Sequence, residues 1–318
     1  MPPPLVSVVI PTHNRAVLLR AALDSVHAQT FVDYEVVVVD DGSTEDIAAA
    51  IAGHPTHPHF VQLPVQAGPA AARNRGIQAA RGELISFLDS DDLWTPTKLE
   101  QFVAALQRDA STEIYYGPMA PINATGRAVH GHTKPCVAGN ITKALFLSSF
   151  VHVPTVVCTR ALLVRHGLFD ESLPVCEDYD LWLRVSLEQP FGLIDEPLAL
   201  RRLHPDRLSK ACMSRNLAVK ANVLRRFYES IADRGIIDPD TAAERLGRVC
   251  HVAGRAAFHD RRYREADALL TAARQYGHPS LRSLPLNVAA KAMSRFQPTP
   301  SPKTTVAGTA PVAVKIKA

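Results

Sequence analysis

The chain has 318 residues, 47% hydrophobic and 21% charged, an ordinary globular composition with enough length for one large core or two smaller ones. A formal net charge of +4 is too small and scattered for a nucleic-acid-binding surface, so no nucleic-acid partner is expected, although a phosphorylated ligand is not opposed. No apolar run reaches membrane-spanning length, and Cys136, Cys158, Cys176, Cys212 and Cys250 show no CxxC spacing, which argues against a zinc site or disulfide framework and fits a reducing cytoplasm.

Met1-Pro2-Pro3-Pro4 has no basic n-region and no apolar h-region, so no secretory signal is expected. Val6-Ser7-Val8-Val9-Ile10 reads as a buried strand closed by Pro11 and the polar loop Thr12-His13-Asn14-Arg15. A helix follows, with Leu18, Ala22 and Val26 at spacing four and Leu19 and Leu23 beside them. The unbroken valines of Glu35-Val36-Val37-Val38-Val39-Asp40-Asp41 suggest a strand buried on both faces, as in a parallel sheet. Ser43 or Thr44 is expected to cap a helix starting near Glu45. Phe60 to Leu63 is a weaker strand, and Gly68-Pro69 opens a small-residue helix that Gly82 ends. Leu84 to Leu88 is an apolar strand that stops in Asp89-Ser90-Asp91-Asp92. Three carboxylates this close repel one another, so something positive must offset them. A hard divalent cation held by oxygen ligands is one answer, and a solvated turn with a helix cap before Pro96 is another.

Pro96 to Arg108 reads as a helix with Leu99, Phe102, Val103 and Leu106 inward, and Glu113 to Tyr116 as a strand. Strand and helix thus alternate through the first half, which argues for a doubly wound, mostly parallel α/β sheet. In such sheets ligands sit at the carboxyl ends of strands, where Thr12, Asp41 and Asp89 to Asp92 all fall. Residues 121–139 are irregular and read as a long loop or hairpin over that crevice. Val153 to Thr159 reads as a strand, Arg160 to His166 as a short helix, and Glu177-Asp178-Tyr179-Asp180 as the start of another. Leu193-Ile194 and Leu198-Ala199-Leu200 read as short strands leading to Arg201-Arg202-Leu203-His204. After about Ser214 only helices are expected. Ala256-Ala257-Phe258 through Tyr263-Arg264-Glu265-Ala266 to Ala272-Ala273 resembles one tetratricopeptide helix pair, which cannot bury its own face and is expected to pack on the catalytic domain or on a partner. From Gln297 the Pro/Thr/Ala/Lys-rich tail has the composition of a disordered segment.

Five motifs in this order, Val8-Val9-Ile10-Pro11-Thr12-His13-Asn14-Arg15, Val39-Asp40-Asp41-Gly42-Ser43, Ala72-Arg73-Asn74-Arg75-Gly76, Phe87-Leu88-Asp89-Ser90-Asp91-Asp92 and Glu177-Asp178, resemble the family 2 glycosyltransferases. These are inverting enzymes of the GT-A fold, a mostly parallel Rossmann-like sheet flanked by helices, and the resemblance covers roughly residues 5 to 210. It implies a glycosyltransferase domain over 1–213, a small all-α extension over 214–296 standing outside the chemistry, and a tail over 297–318. It further implies transfer of a sugar from a nucleotide-diphosphate donor, UDP-linked for preference, to a hydroxyl of a glycan, lipid-linked or protein acceptor, with Mn2+ or Mg2+ as cofactor. Polysaccharide synthesis in the cytoplasm, with peripheral association at the inner membrane face, fits that activity.

Residue by residue, Asp41 matches the acid that accepts a hydrogen bond from the base, and Thr12, with Pro11, Asn14 and Arg15 around it, a contact to the same nucleoside. Arg73 matches a base or phosphate contact, and Asp91 the acid near ribose and metal. Asp92 matches the metal-contacting acid, with Asp89 as the first acid of the Asp-x-Asp motif, and His204 a C-terminal group reaching metal or diphosphate. Asp178 matches the catalytic base, its ionised form favoured by the helix start. Each has a structural alternative: Thr12 as a helix cap, Arg73 and Arg75 as surface charges, Glu177 and Asp178 as helix-dipole charges, His204 as a packed histidine. Two other functions share parts of the pattern. A nucleotidyltransferase would carry a Gly-rich loop after the first strand, and Thr12-His13-Asn14-Arg15 has no glycine. A non-catalytic nucleotide-sugar-binding scaffold would tolerate loss of Asp92 or Asp178, and both are present.

Overall fold

A computed structural model describes residues 2–129, 135–203, 213–277 and 284–294. His204, the tail 297–318 and part of the irregular stretch 121–139 lie outside the described residues. In chain order the elements begin β1 (Val6–Thr12), α1 (Ala16–His27), β2 (Tyr34–Asp40), α2 (Ile47–Ile51), β3 (His59–Gln62), α3 (Pro69–Ala79) and β4 (Leu84–Phe87). There follow β5 (Leu93–Trp94), α4 (Lys98–Arg108), β6 (Ile114–Tyr116), β7 (Met119–Ile122), α5 (Thr142–Leu147), β8 (Val157–Thr159) and α6 (Arg160–Arg165). The remainder is α7 (Glu177–Ser186), β9 (Gly192–Leu193), β10 (Ala199–Arg202), α8 (Met213–Ile231), α9 (Pro239–His259), α10 (Tyr263–Gln275) and α11 (Leu284–Ser294).

Seven strands form the main sheet in the order β3-β2-β1-β4-β8-β6-β9. β1 lies parallel to β2 on one side, with Thr12 opposite Asp40, and parallel to β4 on the other, with Val9 opposite Phe87. The chain thus winds outward in both directions from β1, and the crevice opens at the carboxyl ends beside that switch point. The departure from parallel order is β8, antiparallel to both β4 and β6. Its first half is not strand as expected: Val153–Thr155 is a 3₁₀ turn. Pro154 has no N–H to give a ladder, and the Thr155 hydroxyl turns back on the His152 carbonyl at 2.8 Å. A second sheet, β5-β10-β7, sits across the crevice, with β10 antiparallel to β5 and parallel to β7. Past β7, Ile122 bridges Ala128 in antiparallel sense, so the first part of the irregular stretch is a hairpin.

The cap of α2 also differs from expectation. The Asp46 carboxylate accepts the Ala49 N–H at 2.9 Å, while Ser43 and Thr44 are held by Asn14. Asn14 adopts a left-handed φ of 51°, which Asn tolerates better than most residues. α3 lies against β1 and β2 because of Gly76: a Cβ there would stand 2.3 Å from Val9 Cγ1 and 3.3 Å from Val39 Cγ2.

The expected boundary at 213/214 does not separate two cores. Val223, Leu224, Phe227 and Ile231 of α8, with Ala242 and Leu246 of α9, join the core of the sheet domain around Phe146, Tyr179 and Trp182. Ala218 and Ala221, elsewhere on α8, start a second core with Cys250, Ala253 and Ala257 of α9 and Ala266, Leu269, Leu270 and Ala273 of α10. The tetratricopeptide-like α9–α10 pair therefore packs on α8, within the helical region itself, while Ala242 and Leu246 of α9 reach the core of the sheet domain.

Candidate active site

A cleft of about 630 Å³ opens at the carboxyl ends of β1, β2 and β4, a volume in the range of small-molecule sites. Its lining includes Pro11, Thr12, Arg15, Asp41, Arg73, Asp89, Asp91, Asp92 and Asp178. Of the expected site residues among those described, Asn14 is not in this lining. Its amide oxygen accepts from the N–H of Thr44 (2.8 Å) and of Glu45 (3.3 Å), so it ties the loop after β1 to the loop after β2. Thr12 does not cap α1: its carbonyl accepts the Asp41 N–H at 2.8 Å, and its buried hydroxyl has no partner among the described residues. Both Asp41 carboxylate oxygens face the turn before α3, accepting Ala67 N–H at 2.7 Å and Gly68 N–H at 3.0 Å. Gly42 permits this approach. Its φ is 66°, and a Cβ would fall 2.5 Å from the Gln66 nitrogen.

Two of the acids after β4, Asp89 and Asp91, meet positive partners, and Asp92 meets a main-chain donor. Asp89 Oδ1 accepts from Arg73 Nη2 at 2.7 Å, and Asp91 Oδ2 pairs with Arg15 Nη1 at 2.8 Å. Asp92 Oδ1 accepts the main-chain N–H of Arg202 at 3.0 Å, while the Arg202 side chain donates to the Asp91 carbonyl and, at 2.7 Å, to that of Ala124. The second sheet thus supplies the N–H that holds Asp92.

Arg73 is no surface charge. The side chain is buried, and its other arm, Nη1, donates to Glu177 Oε1 at 2.5 Å at the start of α7. Burial alone would lower the proton affinity of the guanidinium, but Asp89 and Glu177 outweigh it and raise it. The next residue, Asn74, clamps the approach to α7: its amide donates to the Phe169 carbonyl at 2.9 Å, and its oxygen accepts the Phe169 N–H at 3.0 Å. Arg75, in contrast, is exposed.

The three acids of the first turn of α7 are separated by their partners. Glu177 pairs with Arg73, and Asp180 with Arg184 at 2.9 Å and Arg226 of α8 at 2.8 Å. Asp178 makes no ion pair among the described residues. One carboxylate oxygen accepts the Tyr179 N–H at 2.7 Å. Burial pushes its carboxyl up, the Glu177 charge adds to this, and Arg73 and the Tyr179 N–H only partly offset them, leaving it raised to about 7. The expectation that the helix start favours the ionised form is therefore corrected: desolvation and the adjacent carboxylate outweigh the dipole. Cys176, at a left-handed φ of 63°, starts the helix, and burial, with Asp178 and Glu177 adding to it, pushes its thiol up to about 12. It is thus protonated and no nucleophile at neutral pH.

Among the described residues, no three His, Cys, Asp or Glu side chains are grouped to hold a metal ion. The expected cluster of Asp89, Asp91 and Asp92 is spread over Arg73, Arg15 and the Arg202 N–H. Their hard oxygens remain the ligand type that Mg2+ and Mn2+ take, and such ions are commonly held by one or two carboxylates plus substrate phosphates. The residues fit a site that the ligand completes, not a cage built in advance. Sequence reasoning missed the role of Glu177 as an arginine partner, the cleft position of Arg201, and the α8 residues in the wall. Met213, Asn216, Leu217 and Lys220 line the cleft at i, i+3, i+4 and i+7, a one-face spacing legible in the sequence, but nothing in the sequence says what that face meets.

A sheet wound both ways from β1, with acids at the switch point and helices on both sides, is the GT-A fold of the glycosyltransferases. Residues 7–169 match Glycosyl transferase family 2, and the chain belongs to that family. An uncharacterized glycosyltransferase of Rickettsia felis is 31% identical over 223 residues, 67% of this chain and 36% of that protein. The chain thus spans little more than a third of that relative. The chondroitin synthase of Escherichia coli is 30% identical over 238 residues, covering 73% of this chain and 33% of that one. Among solved structures, Staphylococcus aureus TarS 1-349 in complex with UDP-GlcNAc superposes with a TM-score of 0.58 at 19% identity, over 92% of this chain and 91% of that one. The mannosyltransferase PcManGT from Pyrobaculum calidifontis, in complex with GDP-Man and Mn2+, gives 0.54 at 20% identity, over 93% and 81%. No described helix is long and apolar enough to cross a membrane.

Proposed function

We propose that this chain is an inverting glycosyltransferase that moves a sugar from a nucleoside-diphosphate donor, UDP-linked for preference, to an acceptor hydroxyl, with Asp178 as the base. The observation that carries the reading is the isolation of Asp178. Asp89 and Asp91 pair with arginines, and Asp41 and Asp92 accept main-chain N–H groups from distant segments, whereas Asp178 accepts the N–H of the next residue, makes no ion pair among the described residues and has a raised proton affinity. A carboxylate of that kind can take the proton of a hydroxyl at neutral pH, and such bases contribute ~10²–10⁴-fold in rate. The hydroxyl oxygen attacks the anomeric carbon as its proton passes to Asp178. The bond from that carbon to the diphosphate breaks, and its electron pair leaves with the diphosphate. A single displacement inverts the configuration.

Thr12, Asp41 and Arg15 are read as contacts of the donor nucleoside and Asp91 as the acid near its ribose, and the Thr12 hydroxyl, without a partner among the described residues, is a group that a ligand can satisfy. Asp92, with Asp89 or Asp91, would hold Mn2+ or Mg2+ together with the donor phosphates. Such an ion, when bound, offsets the charge that grows on the leaving diphosphate. Support for the donor class comes from TarS, solved with UDP-GlcNAc, and for the ion from the mannosyltransferase solved with GDP-Man and Mn2+. Chondroitin synthase and a putative colanic acid biosynthesis glycosyl transferase among the relatives favour a glycan acceptor in polysaccharide synthesis, on the cytoplasmic side where nucleotide sugars are made.

The test is calorimetry of UDP and GDP with Mn2+ and in EDTA, followed by hydrolysis of a panel of UDP-sugars. UDP is expected to bind with Mn2+ and to weaken at least tenfold in EDTA; equal affinity removes the metal role. Asp178→Asn is expected to keep UDP binding and to lose at least 100-fold in turnover. Normal turnover in that variant, with loss in Glu177→Gln, would transfer the base assignment to Glu177.

A further inference from the structure

Sheet order gives the cleft a direction. Asp41 and Thr12 stand at the carboxyl ends of β2 and β1, and the acids after β4 come next. The following strand is β8, antiparallel to β4, with Leu84 opposite Thr159 and Ser86 opposite Val157. Carried past Ser86, that register sets the residues before β8 alongside those after β4. The residues before β8 are the 3₁₀ turn Val153–Thr155, which packs on β4 and contributes Val153 and Pro154 to the cleft wall. Buried polar side chains hold this turn from behind. Trp94, two residues after Asp92, donates from Nε1 to the Pro154 carbonyl at 3.0 Å. Ser86 Oγ donates to the Val156 carbonyl at 2.9 Å, and Lys98 Nζ donates to Ser86 Oγ at 2.6 Å. Lys98 is fully buried, and its Nζ lies 3.6 Å from the centroid of the Trp94 ring. Burial pushes its proton affinity well below the ordinary lysine range. A buried amine is costly, and methionine would fill a similar volume without that cost. What the amine adds is a fixed Ser86 hydroxyl and a contact on the Trp94 ring, and Ser86 and Trp94 both end on carbonyls of one short segment, residues 154–156.

We propose that Trp94 and Ser86 are positioning residues for the transferred sugar: they fix the Val153–Pro154 wall against which the sugar of the bound donor rests. The proposal rests on the donor reading above. A donor with its nucleoside at β2 and β1 and its diphosphate at the acids after β4 carries its sugar onward along the sheet, to the β8 side where the turn stands. The two anchors come from different elements, Trp94 from β5 and Ser86 from β4, and they meet the turn at carbonyls two residues apart. A wall held in this way is ordered before the sugar arrives, so binding the sugar need not pay to order it. Trp94 also stands on the strand that directly follows the acids after β4, so the diphosphate end and the sugar end of the site share one support.

The experiment uses the full chain with Mn2+ and compares, by calorimetry, UDP with UDP-glucose and UDP-GlcNAc, and GDP with GDP-mannose. The quantity read is the affinity for each nucleotide sugar divided by that for its free nucleotide. Trp94→Phe keeps a ring and removes the Nε1–H, and Ser86→Ala removes the second anchor. Each variant is expected to lower that ratio by about three- to tenfold for the sugar that the wild type holds best, the worth of one hydrogen bond, with the free nucleotide bound as before. Thermal melting is recorded alongside. Trp94→Phe decides the matter where it melts cooperatively, and Ser86→Ala decides it otherwise. A role confined to packing lowers the melting temperature and leaves the ratio unchanged. An unchanged ratio, or a parallel loss of nucleotide and nucleotide-sugar affinity, therefore overturns the proposal and leaves the donor reading standing. Failure of the wild type to bind either nucleoside diphosphate overturns the donor reading first, and the proposal with it.

Discussion

At the residue scale the chemistry turns on how one cleft handles several carboxylates. Arg73, Arg15 and a set of main-chain N–H groups take the charges of Asp89, Glu177, Asp91, Asp92 and Asp41. Asp178 is left with a carboxyl raised to about 7. Its folded-state pKa lies above the unfolded value, so the folded chain binds the extra proton more tightly between about pH 4 and about 7. Stability contributed by this group is present at the acid end of that window and is lost as pH rises through it. Asp178→Asn removes the titration, so the variant should be more stable than the wild type at pH 8 and should gain little at pH 4, read by urea denaturation at both values. Turnover should run the other way, rising with pH through about 7 in the wild type, because only the ionised carboxylate accepts a proton. A stability difference independent of pH would show that Asp178 is already ionised in the folded chain.

At the element scale, Arg73 is the joint between α3, the end of β4 and the start of α7. Two features of α3 set it there. Gly76 lets the helix lie directly on Val9 and Val39, and Asn74 fastens the loop around Phe169 that leads to α7. Arg73→Met keeps the length of the side chain and removes the charge. It strands Glu177, which is buried, and Asp89, which is partly exposed to the cleft. Removing one partner of a buried pair costs ~3–5 kcal/mol, and water reaching Asp89 reduces this, so a loss of about 2–4 kcal/mol in urea denaturation is expected. UDP binding should weaken as well, because Asp89 and the start of α7 lose their common tether. A variant as stable as the wild type would mean that the two acids take up protons or other partners at little cost.

On the scale of the whole molecule, the helical region shares a core with the sheet domain. The sequence pattern alone favours a fragment ending near Ser214 that keeps nucleotide binding. The packing favours the opposite outcome, because α8 fills the core around Phe146 and Tyr179 with Val223, Leu224 and Phe227. Burying each such side chain contributes ~1.5–3 kcal/mol, so losing three of them removes an amount comparable with the stability of an ordinary domain. A chain truncated at 212 is expected to be insoluble or molten, with no cooperative thermal transition. One truncated at 277, which keeps α8, α9 and α10, should melt cooperatively and bind UDP. A soluble, cooperatively melting 1–212 fragment would restore the boundary at 213/214.

What the sequence determined by itself was what local pattern can carry. The valine runs of β1 and β2, the alternation of strand and helix, the acids at strand ends and the helix opening at Glu177 all follow from short-range periodicity and residue type, and together they were enough to reach the family and the GT-A fold. The need for a positive partner beside Asp89 to Asp92 was legible too, since like charges at that spacing cannot stand unopposed. Which partner meets which acid was not: Arg15, Arg73 and the Arg202 N–H come from 76, 16 and 110 positions away, from a loop, a helix and a second sheet. The raised proton affinity of Asp178 was hidden for the same reason. A helix start argues for a lowered value, and only tertiary burial beside Glu177, with Arg73 shared between two other acids, reverses the sign. The face of α8 that walls the cleft shows its spacing in the sequence, but the surface it meets exists only once β4, α7 and α8 have packed together.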